Sequence, residues 1–145
     1  MRRLLGLVGI LVLAGCAIEN PVVDQGRVEE ATQQHFGSEF VPIDVGPIIV
    51  SGDHAIADWT QGDYGGRALY ERGEYGWMLL LCSGDSIRRA ENLKRAGVPD
   101  FNAGWIAEQL AKAEATLPPE RLARMKRFVG TAADHERYLQ ALAAQ

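Results

Sequence analysis

The sequence predicts an α+β fold, in which an N-terminal helix packs on a four-stranded antiparallel meander and a C-terminal helical segment follows; a cystatin-like arrangement is one such fold. Three observations predict it. Apolar residues recur at helical spacing before residue 37, extended runs separated by glycine turns follow, and helical spacing returns after residue 86.

The first helix is predicted over residues 22–36, because Val28, Thr32 and Phe36 fall on one side and Gly37 follows. Strands are predicted over residues 47–50, 54–61, 66–72 and 75–82. Two-residue hairpin turns are expected at 52–53 and 73–74, and a longer turn at 62–65. Consecutive hairpins predict an antiparallel meander.

Helical signals fill the rest of the chain. Asp85 or Ser86 can cap a helix that ends at Gly97, and Asp100 or Asn102 can begin the next. The pair at residues 118–119, Pro-Pro, ends that helix and opens a third. Residues 131–145 are alanine-rich and are expected to form a helical or frayed tail.

The N-terminus resembles a bacterial lipoprotein signal. Two arginines precede a short apolar run that ends in Leu13-Ala14-Gly15-Cys16, the pattern of a lipobox. This predicts a signal peptide over residues 1–15, lipidation of Cys16, a lipidated N-terminus and tether over 16–24, and a single domain over 25–130. An ordinary signal peptide or an anchor helix is the alternative. Ala17 after the cysteine favours the outer membrane, so we expect a membrane-anchored protein that faces the periplasm.

Composition limits the partners. Removal of residues 1–15 from the 145-residue chain leaves 130 residues, and the loss of Arg2 and Arg3 moves the formal net charge from −4 to −6. A chain with this excess of negative charge binds phosphate groups poorly, so nucleic acid is disfavoured as a partner. With Cys16 lipidated, Cys82 has no partner in its own chain.

The predicted turn at 73–74 sets a register. It places Gly65 opposite Cys82 and Asp58 diagonal to Arg67. One sheet face is then apolar and packs under the helices. The other face ends in polar side chains, which include Asp58 and Arg67. The loop residues Gln61, Asp63 and Asp85 are expected to lie near them. A structural Asp–Arg pair is the alternative to a binding site, and a bulge at residues 65–66 would change the register.

Cys82 has two interpretations, a small core residue or a soft ligand for Cu(I). Met78 is about 13 Å away along the strand and His54 about 25 Å away, so neither is a convincing co-ligand. No CxxC, HExxH or G-x-S-x-G motif and no phosphate loop occurs in the sequence. A non-enzymatic protein is therefore expected.

Several motifs resemble the bacterial copper uptake system-associated proteins. They are ADWTQGDYGGRAL at residues 57–69, Trp77, LCSGD at 81–85, AGVP at 96–99 and LPPER at 117–121. The resemblance covers about residues 46–130 and implies a role associated with copper import. It implies no particular set of copper ligands. The first block coincides with the polar end of the predicted sheet.

The candidate ligand- or partner-binding residues are Asp58, Trp59, Gln61, Asp63, Arg67 and Asp85, with Cys82 as the candidate metal ligand. The expected function is a lipid-anchored accessory of copper uptake that binds copper or a copper-carrying partner protein. The alternatives are a metal-free envelope interaction module and a small-ligand-binding domain.

Overall fold

The computed structural model describes residues 20–128, and it confirms the predicted α+β fold. Helix α1, Pro21–Phe36, begins where the Asn20 side chain accepts a hydrogen bond from the Val22 backbone N–H at 3.1 Å. Pro21 suits the first helical position because its missing N–H needs no partner there. Residues 21–24 of the predicted tether are therefore helical. The predicted signal peptide, the lipidated Cys16 and the tail over 131–145 lie outside the described residues.

Four antiparallel strands follow in chain order, and each pairs with the next. They are β1 (Ile43–Ser51), β2 (His54–Gln61), β3 (Tyr64–Gly73) and β4 (Gly76–Ser83). Gly52 and Gly62 both have a φ of 56°, a left-handed conformation that the tight turns require and that glycine adopts without strain. The first strand is longer than predicted, because pairing continues on both sides of an irregularity between Val45 and Ile48.

The C-terminal part begins with a short 3₁₀-helix, Ser86–Arg88, followed by α2 (Ala90–Arg95), α3 (Asp100–Glu114) and α4 (Pro119–Met125). Ile106 and Leu110 are fully buried on α3, as their spacing predicts. Within residues 20–128, no helix has both the length and the apolar character needed to cross a membrane.

Helices cover both faces of the sheet, whereas the sequence predicted helices under one apolar face. One hydrophobic cluster joins α1 to the sheet through Phe36, Trp59 and Tyr70. A second cluster joins the other face to the C-terminal helices through residues such as Leu69 and Leu110. The polar groups at the end of this second face are therefore buried beneath α3 and not open to solvent.

The predicted register between β3 and β4 is wrong. Gly73 pairs with Gly76, so the turn consists of residues 74–75, and the pairing shifts again between Leu69 and Tyr70. Cys82 consequently lies opposite Ala68 and joins the cluster under α1. A shift of one residue turns a side chain to the other face, which is why Cys82 is on the opposite side from its predicted position.

Candidate functional site

Arg67 is the centre of a buried ion-pair cluster between the sheet and α3. Its side chain is fully buried, and its Nε lies 2.6 Å from the Glu114 Oε1. Its Nη1 donates to the Gly84 carbonyl at 3.0 Å and to Asp85 Oδ1 at 3.1 Å. A buried guanidinium is costly unless carboxylates and carbonyls surround it, and this one has both.

Asp58 lies directly opposite Arg67 on the neighbouring strand, not diagonal to it as predicted. The Asp58 Oδ1 is 3.7 Å from the Arg67 Nε, which confirms the predicted pairing of these two residues. Neither Asp58 oxygen has a hydrogen-bond partner within residues 20–128. Burial, and then the nearby Glu114 carboxylate, raise the pKa of Asp58 to about 8. The Asp58 carboxyl is therefore mostly protonated at neutral pH.

Glu114 completes the cluster, and the sequence reasoning missed it. It is 1% exposed, and its Oε2 lies 2.7 Å from the Arg88 Nε. One signal could have found it: Glu114 follows Leu110 by four positions and therefore lies on the apolar side of the helix. A carboxylate on a buried helix face requires a cationic partner. Arg67 and Arg88 are those partners.

Cys82 and Trp59 form a separate contact on the α1 side of the sheet. The Trp59 indole N–H donates to the Cys82 Sγ at 3.4 Å, and the Trp59 ring stacks on Phe36 with 4.7 Å between centroids. Burial raises the pKa of the Cys82 thiol to about 12, although the Trp59 hydrogen bond partly opposes this. The thiol is thus protonated at neutral pH and is packed among aromatic rings.

Gln61 and Asp63 do not join the cluster either. The Gln61 amide donates to the Phe36 carbonyl at 3.1 Å and to the Val41 carbonyl at 3.0 Å, so it holds the segment after α1 against the sheet. Asp63 is an exposed turn residue. Of the six candidate binding residues, the structure brings together Asp58, Arg67 and Asp85. Asp85 alone among these three reaches solvent, with 46% of its side chain exposed.

The cluster can hold a proton and fix three elements to one another, because it joins β2, β3 and α3 through buried charges. Asp58, Arg67 and Glu114 are at most 1% exposed, so a substrate in solvent would contact none of them directly. Within residues 20–128, no three His, Cys, Asp or Glu side chains are grouped to hold a metal ion.

Fold and cluster together define a small α+β domain with a buried carboxyl–arginine centre and helices on both sheet faces. Comparisons of the chain with family models, with curated proteins and with solved structures found no match.

Proposed function

We propose that this protein is a non-enzymatic, lipid-anchored accessory of copper uptake that faces the periplasm and acts by docking a copper-carrying partner protein. Support for the anchor comes from the lipobox-like residues that end at Cys16, and Ala17 favours the outer membrane. Support for the copper association comes from the motif resemblance over residues 57–121.

The observation that carries the docking role is the apolar surface of the outer strand. We call this the β4 surface, and it consists of Met78 and Leu80 on the strand together with Tyr75 in the turn before it. Met78 is 54% exposed and Leu80 39%, whereas most large apolar side chains in the neighbouring strands are buried. Within the described residues, β4 also has a neighbouring strand on one side only.

An open strand edge with exposed apolar side chains suits one type of partner, an extended peptide segment that adds as a further strand. Backbone hydrogen bonds would supply affinity, and contact with Met78 and Leu80 would supply specificity. The partner segment is therefore expected to alternate apolar and polar residues.

Copper would arrive with the partner in this scheme. The Cys82 thiol is protonated, and its sulfur already accepts a hydrogen bond from the Trp59 indole N–H. A copper ion would have to displace the thiol proton and also break this hydrogen bond. The same observation favours the second candidate function, a metal-free envelope interaction module in which Cys82 is a core residue.

Copper accumulation in cells tests the proposal. A strain that lacks this protein is complemented with the native chain, with Met78→Lys or with Phe101→Lys, and cellular copper is measured by mass spectrometry. Met78→Lys should leave copper at the level of the deletion strain because the lysine opposes docking on the β4 surface. Phe101→Lys, at an 80% exposed position on α3, is the control and should restore uptake. Equal copper in the native and deletion strains would contradict the role in uptake.

A second experiment separates the two roles for Cys82. The mature chain, with Cys16→Ser to prevent lipidation, is titrated anaerobically with Cu(I) against a competing chelator, with and without Cys82→Ser. We expect neither protein to compete for copper. Tight one-to-one binding that Cys82→Ser abolishes would instead place copper at the Cys82 sulfur, and the partner would no longer be needed to carry it.

A further inference from the structure

A cleft opens on the surface where the 3₁₀-helix meets α3, at the solvent-facing edge of the buried cluster. It has a volume of about 520 Å³. The cleft residues are Asp85, Ser86, Arg88, Arg89, Ala107 and Ala111. This volume is within the range of small-molecule sites, and the two alanines of α3 leave room over the helix.

Two consecutive arginines dominate the charge of the cleft. Within residues 20–128, neither the Arg88 nor the Arg89 side chain makes a hydrogen bond to a protein group, and Arg89 has no ion pair. Arg88 has one ion pair, through its Nε to Glu114. Its two Nη nitrogens remain as donors, in a protein whose overall formal charge is −4.

The buried cluster fixes Arg88 in this position. Arg67 holds the Glu114 Oε1 at 2.6 Å, and the other oxygen of that carboxylate holds Arg88. Because Glu114 is buried, Arg88 is held by a rigid group and would lose little side-chain freedom when a ligand binds.

The one acidic side chain of the cleft is already compensated. The Asp85 carboxylate lies 3.1 Å from the Arg67 Nη1 and 3.9 Å from the Lys126 Nζ. Its negative charge therefore does little to oppose an anion at the arginine pair.

We propose that this cleft is a binding site for a small organic oxyanion. A carboxylate or phosphate group would accept hydrogen bonds from the guanidinium groups of Arg88 and Arg89, a geometry that arginine favours. A short apolar part of the ligand would lie on Ala107 and Ala111. This site is separate from the β4 surface, and its occupancy does not require the docking role.

Amide NMR spectra of the mature chain with Cys16→Ser test the site. Succinate and inorganic phosphate are the soluble probes, and phosphatidylglycerol vesicles, with phosphatidylcholine vesicles as reference, present the same chemistry as a lipid headgroup. We expect saturable shifts at residues 86–90 and 107–111 with at least one anionic probe. Saturation by succinate or phosphate assigns a soluble ligand, whereas a response only to phosphatidylglycerol assigns a headgroup. No saturable shift with any anionic probe overturns the proposal.

Two variants make the test specific. Arg89→Gln removes an exposed guanidinium and should weaken binding about tenfold to a hundredfold, the range for loss of a charged hydrogen bond. Arg95→Gln is the control, since it removes the same charge from an exposed position of α2 that does not line the cleft. Ala111→Glu, which leaves both arginines in place, should weaken binding by repulsion, whereas Ala115→Glu outside the cleft should not. Equal losses in the variants and their controls would overturn the site.

Discussion

Replacement of Asp58 by asparagine should change how the stability of the protein depends on pH. The Asp58 side chain is fully buried, and burial with the neighbouring Glu114 raises its pKa from 3.8 to about 8. Asparagine has nearly the same shape and carries no titrating proton. The substitution thus removes the ionisation of Asp58 while keeping the packing.

The sign follows from the proton count. Between pH 4 and pH 8 the folded state holds a proton on Asp58 that the unfolded chain has released. The free energy of unfolding therefore falls as pH rises through this window, by at most about 1.4 kcal/mol per pH unit. Above about pH 8 both states are ionised and the decline from this group ends.

The assay is urea unfolding followed by tryptophan fluorescence at pH 5, 6, 7 and 8 for the native chain and for Asp58→Asn. We expect the variant to gain stability relative to the native chain by about 1 kcal/mol for each pH unit. Asp63→Asn, at an exposed turn position, is the control and should give a pH-independent difference. Parallel stability curves for the native chain and Asp58→Asn would refute the view that Asp58 is protonated in the folded protein.

Three further predictions concern other parts of the fold. Hydrogen bonds from Arg72 lower the pKa of Asp24, so Asp24→Asn should cost about 1–2 kcal/mol of unfolding free energy at pH 7. This cost should diminish as the pH falls through the lowered pKa of the folded Asp24 carboxyl, and a cost that stays unchanged as the solution is acidified would contradict an ionic origin. The Cys82 thiol should react with Ellman's reagent at pH 8 at least a hundredfold more slowly than free cysteine, because its pKa of about 12 leaves little thiolate; a fast reaction would contradict its packing against the α1 cluster. Ile106→Ala should destabilise the protein by about 2–5 kcal/mol in urea unfolding, whereas Trp105→Ala, at a 45% exposed position, should cost much less; similar costs would contradict the packing of α3.

Much of the fold could be predicted because local patterns and tertiary packing agree. The spacing of Val28, Thr32 and Phe36 predicts the buried side of α1, and all three are fully buried. The glycines at positions 52 and 62 mark turns that are present, although the second turn consists of residues 62–63 and is shorter than the predicted turn at 62–65. The predicted pairing of Asp58 with Arg67 is also confirmed.

The candidate site was predicted less well, because its residues come together through register and helix packing. The polar end of the sheet contains Asp58, Arg67 and Asp85, but Cys82 lies on the other face. Glu114 and Arg88 are distant in sequence from the strands, so no local motif connects them with Arg67.

The sequence by itself determined the order of the elements, the antiparallel meander and the position of Cys82 on the last strand. These features depend on periodicity and turn chemistry over a few residues. The tertiary structure decided which face each side chain of β4 occupies, since the irregularity opposite Leu69 and Tyr70 has no clear sequence signature. It also decided that α3 would cover the second face and place Glu114 against Arg67. An ion pair between residues 47 positions apart depends on how whole elements pack, and only the folded chain specifies that packing.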